Sequence, residues 1–256
     1  MDVLSPQTLV VVASFFAGLV DSIVGGGGLI LVPALFAAFP GAPPATLLGM
    51  NKSASCWGTA LAAWHYSRRV NLPWPMLWPA VLTALVGGWL GAYAVTLADP
   101  RLLRQLLPAV LVLLLVYTLA KKDLGHTHTP RHTEPRQRAL AMLIGGGVGF
   151  YDGFFGPGAG SFLVFLLVRL LGYDFLHATA ATKVINLGSN VAALALLAAK
   201  GHVWWHAVLW IAVANVLGSL VGTRLALKHG AGFVRVAFIG VVCALIVKTG
   251  YDAFLR

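Results

Sequence analysis

Apolar runs follow one another along the whole of this 256-residue chain. They cover residues 7–24, 28–39, 46–67, 74–97, 102–120, 139–155, 160–171, 176–199, 203–227 and 233–254, and most approach the ~20 residues that carry a helix through a bilayer. A membrane barrel would instead show segments of ~10 residues with alternating polarity, and none is present. Charged residues make up 10% of the chain, against roughly 25% in a soluble domain. The chain therefore reads as an all-α polytopic membrane protein. Its net charge of +10 sits in loops and at segment ends, where it orients helices and meets lipid headgroups, so nucleic acid is not an expected partner. Cys56 and Cys243 fall inside apolar runs and read as packing residues. The first charge is Asp2 and no basic stretch precedes the first apolar run, so that run is expected to be retained rather than cleaved as a signal peptide.

Shifted against itself by 131 residues, the chain aligns without gaps: Gly18 falls on Gly149, Asp21 on Asp152, Gly25 on Gly156, Gly27 on Gly158, Lys52 on Lys183, Trp74 on Trp205, Gly87 on Gly218 and Arg104 on Arg235. The expected organisation is a first membrane repeat over 1–120, a polar linker over 121–137 and a second repeat over 138–256, with four to five helical segments in each repeat. The linker segment 121-KKDLGHTHTPRHTEPRQR-138 is rich in Thr and Pro. It carries His126, His128 and His132, which read as solvated residues rather than as a metal site.

Both repeats interrupt their first apolar segment at one place, 21-DSIVGGGG-28 and 152-DGFFGPGAG-160. Gly and Pro are the poorest residues for a helix interior. Irregular backbone at membrane depth survives where protein or a water-filled cavity satisfies it, so paired breaks point to a transporter's binding site. Close helix packing through small residues is the competing explanation. Residues 7–39 as one rod would span about 50 Å, well beyond the ~30 Å hydrocarbon core. That length favours a hairpin, with five crossings per repeat and repeats of inverted orientation.

Of the 18 Lys and Arg and 8 acidic residues, all but four lie in loops or near segment ends; the four are Asp21, Lys52, Asp152 and Lys183. An ionisable group at bilayer depth costs at least ~2.5–3.5 kcal/mol, so each is a candidate for function. Lys52 is flanked by Asn51 and Ser53, and Lys183 by Thr182 with Asn186 one turn on. An ammonium beside hydroxyl and amide groups suits an oxyanion. Gly25, Gly26, Gly27 and Gly28 in one repeat, with Gly156 and Gly158 in the other, would add backbone N–H groups at the start of the next half-helix, where the dipole also favours an anion. The competing explanation for the lysines is snorkelling to the interface. For Asp21 and Asp152 the alternatives are a helix-end cap, an ion pair with the lysine of the same repeat, or titration in proton coupling.

Trp64, Trp74, Trp78, Trp204, Trp205 and Trp210 read as interfacial anchors, and Gly87, Gly88, Gly91, Gly218 and Gly222 as close helix contacts. No nucleophile elbow, phosphate loop or metal-binding helix motif occurs, so neither an enzyme nor an ATP-driven pump is expected, and no cofactor is implied.

The stretches 17-AGLVDSIVGGGGLILVPAL-35 and 48-LGMNKSAS-55, repeated as 149-GFYDGFFGPGAGSF-162 and 180-AATKVINLGSN-190, resemble the TauE/SafE sulfite exporter family, also called toluene sulfonate uptake permeases. The resemblance covers nearly the whole chain. It implies a multi-pass carrier in the cytoplasmic membrane for sulfite, sulfonates or related organosulfur anions, binding near the Gly-rich motifs. Gly28 is matched by Ala159 and Gly26 by Pro157, so the two half-sites differ. The partners expected are a small anionic substrate, the lipid bilayer, protons as a candidate coupling ion and, as an open option, further copies in a homo-oligomer. The rival readings are a cation or metal transporter using the two aspartates, and a membrane subunit handling a sulfur or redox compound.

Overall fold

A computed structural model of the chain describes residues 6–99 and 132–254, apart from the side chains of 231, 235 and 238–254. The described residues contain helices and no strand: α1 Pro6–Val24, α2 Gly28–Ala38, α3 Pro44–Ser67, α4 Trp74–Leu97, α5 Glu134–Phe154, α6 Ala159–Leu166 running into a π-helical turn Leu167–Leu171, α7 Phe175–Ala199, and α8 Trp205–Phe254, bent at Gly230. Helices Pro6–Val24, Trp74–Leu97 and Phe175–Ala199, with the Trp205–Gly230 part of α8, are long and apolar enough to cross a membrane. The chain is an integral membrane protein. The apolar run 102–120 and the linker residues 121–131 lie outside the described residues. Helix α5 starts at Glu134, inside the stretch expected to be linker, because Pro135 is tolerated in a first turn where no backbone N–H is needed.

Helix α1 stops at Val24, and Gly25 adopts φ 81°, a left-handed conformation that L-residues with side chains rarely take. The chain then turns back. Gly27 lies against the Ala17 carbonyl and the Asp21 side chain, and Leu31 and Leu35 of α2 share an apolar cluster with Val10 and Ala17 of α1. Between α5 and α6, Gly156 (φ 96°) makes the corresponding turn, and the Tyr151 hydroxyl closes it by donating to the Pro157 carbonyl at 2.6 Å.

The widest helix contacts join α4 to α5 and α1 to α8. Along α1, Ser14 donates to the Ile211 carbonyl, Gly18 faces Asn215, and Leu19 and Ser22 face Gly222, so α1 and α8 run in the same direction. Thr83 donates to the Met142 carbonyl, while Gly149 faces Ala84 and Gly153 faces Gly88, so α4 and α5 also run in the same direction. Glycine at these points lets one backbone lie directly on the next; a methyl group on Gly87, Gly91 or Gly218 would collide with a facing carbonyl. Helices α3 and α7 fill the middle, with most of their residues buried. The outer faces carry Leu82, Val86, Trp89, Leu209, Trp210 and Leu217, all exposed and suited to lipid. Trp64, Trp74, Trp78 and Trp205 are likewise exposed, whereas Trp204 is partly buried and packs its ring on Phe39.

Candidate functional site

Helices α3 and α7 cross in opposite directions, Lys52 opposite Asn190 and Thr59 near the partner of Lys183. Both lysines point inward, and their side chains are only 2% and 0% exposed. Snorkelling is thereby excluded as their structural role, since neither ammonium reaches the surface. Lys52 Nζ lies 2.6 Å from Asp152 Oδ1 and donates to Asn190 Oδ1 at 3.1 Å. Lys183 Nζ lies 2.8 Å from Asp21 Oδ2 and also donates to the Asp21 backbone carbonyl.

The lysines and aspartates pair crosswise. Lys52 takes Asp152 rather than Asp21, and Lys183 takes Asp21 rather than Asp152, so the pair within one repeat, one of the alternatives for the aspartates, does not form. The physical reason is the helix arrangement. Asp21 and Asp152 occupy the last turns of α1 and α5, whose C-terminal ends carry the negative end of the helix dipole and present it to the helix arriving from the other part of the chain. Each ammonium thus meets a carboxylate at a helix C-terminus. A buried pair of this kind costs about 3–5 kcal/mol to break by removing one partner, because the other charge is left uncompensated.

The two pairs are unequal. Asp152 has a side chain 5% exposed and accepts from Ser189 Oγ at 2.7 Å. Asp21 has a side chain 18% exposed, accepts from Thr59 Oγ1 at 3.4 Å and takes the Gly27 N–H at 3.4 Å. Thr59 was not anticipated as a site residue. Its signal lay in the repeat alignment, where it falls on Asn190, the residue that bonds Lys52.

The two breaks touch. Gly25 and Gly160 lie backbone to backbone, such that a Cβ on either would collide with the other, and Gly28 packs on Pro157. A methyl at Gly156 would come within 3.3 Å of Lys52 Nζ, so the end of this lysine rests on the α5–α6 break. The N–H groups of Gly25 and Gly156 bond to the carbonyls of Asp21 and Tyr151 and that of Gly27 is taken by Asp21, so these three donors are engaged within the protein. Gly26 has room beside Ser161, and Gly158 adopts φ 79° at the start of α6.

Asn51, Ser53, Thr182 and Asn186 are buried. Asn186 Oδ1 accepts from Ser189 Oγ at 3.3 Å. Asn51 Oδ1, Ser53 Oγ and Thr182 Oγ1 have no hydrogen-bond partner among the described residues. Buried polar atoms of this kind are costly, and here they adjoin both ammonium groups in sequence. Among the described residues no three His, Cys, Asp or Glu side chains gather as a metal site.

The family profile described as Sulfite exporter TauE/SafE matches residues 10–249. The chain belongs to this family. A probable membrane transporter protein, ORF9, of Sinorhizobium sp is 36% identical over 93% of this chain and 89% of its own length. The probable membrane transporter YfcA of Escherichia coli K12 is 37% identical over 94% and 88%, and one from Haemophilus influenzae is 31% identical over 93% and 92%. No solved structure matches the chain. As a TauE/SafE protein the chain is a membrane transporter.

Proposed function

We propose that this TauE/SafE protein is a secondary carrier of the cytoplasmic membrane that moves a small sulfur-containing anion, sulfite or a sulfonate, through a site bounded by Lys52 and Lys183. The observation that carries the reading is the pair of buried ammonium groups, each with an unpartnered buried hydroxyl as its neighbour in the chain, Ser53 beside Lys52 and Thr182 beside Lys183. An oxyanion offers acceptors to lysine and hydroxyl donors at once. The N-terminal ends of α2 and α6, with Gly26, Gly28 and Gly158, add the positive end of two helix dipoles. The sulfur chemistry rests on the family's description. A cation carrier would use Asp21 and Asp152 without needing either of the two buried lysines.

In this reading the chain is built from two inverted halves. Supporting it, the bounds of α1, α2, α3 and α4 shifted by 131 fall at 137–155, 159–169, 175–198 and 205–228, beside those of α5, α6, α7 and α8 up to its bend. The shared directions of α1 with α8 and of α4 with α5, together with the opposed α3 and α7, fit a two-fold relation with its axis in the membrane plane. Reporter tags in the 125–135 stretch and at Arg256 are expected on opposite sides of the membrane, and the same side for both would overturn the inverted arrangement.

Liposomes containing the purified protein are expected to take up labelled sulfite or a sulfonate and not a divalent metal. Lys52→Met or Lys183→Met removes the charge and keeps the stem volume. Transport should fall sharply in either variant, while Arg is only partly tolerated because a planar fork replaces a compact ammonium. Transport at the unmodified rate in both inserted Met variants would refute the anion site.

A further inference from the structure

The two ion pairs sit in different surroundings. Along the α1–α8 seam lies a row of buried polar side chains, Ser14, Asn215, Ser219 and Thr223, with Ser22 against Gly222 and Thr59 following Gly58 in the chain. Asn215 Nδ2 donates to the Ser14 carbonyl at 3.2 Å, Gly58 faces Asn215 Oδ1, and Ser219 Oγ donates to the Gly58 carbonyl at 2.6 Å. Thr59, the next residue, donates to the Asp21 carboxylate. Tyr66 donates to the Ser22 carbonyl at 2.9 Å, and the Thr223 hydroxyl has no partner among the described residues. At the positions 131 residues away, the α4–α5 seam has Gly145 for Ser14, Ala84 for Asn215, Gly88 for Ser219, Ala92 for Thr223 and Gly153 for Ser22. Those residues pack backbone to backbone, and Asp152 lies behind them, closed off by Lys52 and Ser189.

We propose that Asp21 is the carboxylate that takes up and releases the coupling proton, reached along the polar α1–α8 seam, and that Asp152 stays ionised as the fixed partner of Lys52. The proposal rests on the reading of the chain as an anion carrier. Charge balance gives the mechanism. In the empty site Lys52, Asp152, Lys183 and Asp21 sum to zero. A proton that binds Asp21 forms a carboxylic acid and breaks its ion pair, while Lys183 keeps its own proton and charge. A monovalent anion then binds Lys183 and the sum is again zero. Empty and loaded forms both cross without a net buried charge, which avoids the cost of an uncompensated ion at bilayer depth.

The groups that face Asp21 permit this. Lys183 on α7 is the cation released, and Thr59 and Tyr66 on α3 supply hydroxyls. The α8 seam residues Asn215, Ser219 and Thr223 do not titrate, and α2 and α6 contain no titratable residue. With its side chain 18% exposed against 5%, Asp21 is the more accessible of the two carboxylates. Seam polar groups that serve only as interhelical glue would give the same contacts without any titration, and that is the distinction to test.

Infrared difference spectra of the lipid-reconstituted protein, with no anion present and pH stepped from about 4 to about 9, read carboxyl protonation directly. The expected result is a protonated-carboxyl band that appears on acidification, is absent from Asp21→Asn and has a shifted midpoint in Asp21→Glu. Asn215→Ala with Ser219→Gly, which copies the dry seam, should also move the midpoint. No titrating band in the unmodified protein, or a band that Asp21→Asn leaves and Asp21→Glu does not move, would overturn the proposal. Should Asp21→Asn fail to insert, the Asp21→Glu midpoint decides alone, and an unmoved midpoint overturns. Labelled sulfite then separates the two levels. Counterflow exchange kept in Asp21→Asn with accumulation driven by a pH gradient lost supports the coupling role, and loss of both in proportion opposes it. A band assigned to Asp21 in a protein that moves no sulfite or sulfonate sinks the substrate reading and leaves the proton site standing.

Discussion

The α1–α8 and α4–α5 seams have the same geometry and different chemistry. In each, two helices run side by side with glycines at matching positions, Gly218 and Gly222 in one and Gly87 and Gly91 in the other, and a carboxylate sits near the end of the seam. One seam is lined by Ser14, Asn215, Ser219 and Thr223, the other by Gly145, Ala84, Gly88 and Ala92. Close packing therefore does not require a row of buried polar residues, because the α4–α5 seam packs closely with Thr83 donating to the Met142 carbonyl at 2.9 Å. The difference lies in what surrounds the carboxylate. Asp152 is enclosed with strong partners, while Asp21 keeps longer hydrogen bonds and a partly open side chain.

The largest expected effect that would break this contrast is on stability. Asp152→Asn leaves the Lys52 ammonium uncompensated in the sealed seam and should cost about 3–5 kcal/mol, seen as a large loss of thermal stability in detergent or a failure to insert. Asp21→Asn should cost clearly less, because its carboxylate is less enclosed. Equal losses would show that the two pairs are equivalent. A second, large effect is expected at the contact between the breaks. Gly25→Ala forces a left-handed φ on alanine and a collision with Gly160, and should destabilise by about 1–3 kcal/mol or more. Gly26→Ala, which meets Ser161 Oγ at 3.4 Å, should be nearly silent in the same melting assay. Smaller still, Asn215→Ala should cost about 0.6–1.7 kcal/mol, the range of interhelical hydrogen bonds between membrane helices. The smallest effect sharpens the comparison. Thr223→Val replaces an unpartnered buried hydroxyl by a methyl of the same shape, and its melting temperature should be unchanged or slightly higher.

Much of the helix layout was legible in the apolar pattern. The expected starts at 7, 28, 46, 74, 160 and 176 lie within two residues of the observed helix starts at Pro6, Gly28, Pro44, Trp74, Ala159 and Phe175. The start expected at 139 was later than Glu134, because polar residues such as Arg136 and Arg138 extend the helix past the apolar run and carry no membrane signal. The four site charges were legible for a related reason. A bilayer penalises an ionisable group so heavily that its presence in an apolar run is informative without any structure.

The sequence by itself determined that the chain lies in a membrane, where its helices run, and that Asp21, Lys52, Asp152 and Lys183 are charges set inside apolar runs. These properties follow from local composition measured against a uniform apolar solvent. Only the tertiary structure decided that Lys183 meets Asp21 across 162 residues, that Thr59 joins that pair, and that one carboxylate is sealed while the other is partly open. Partner choice depends on which helices cross, in which direction and at what depth. The stretches 21–28 and 152–160 look alike along the chain, and they differ in the structure because α1 packs on an α8 face carrying Asn215 and Ser219 and α5 on an α4 face carrying Ala84 and Gly88.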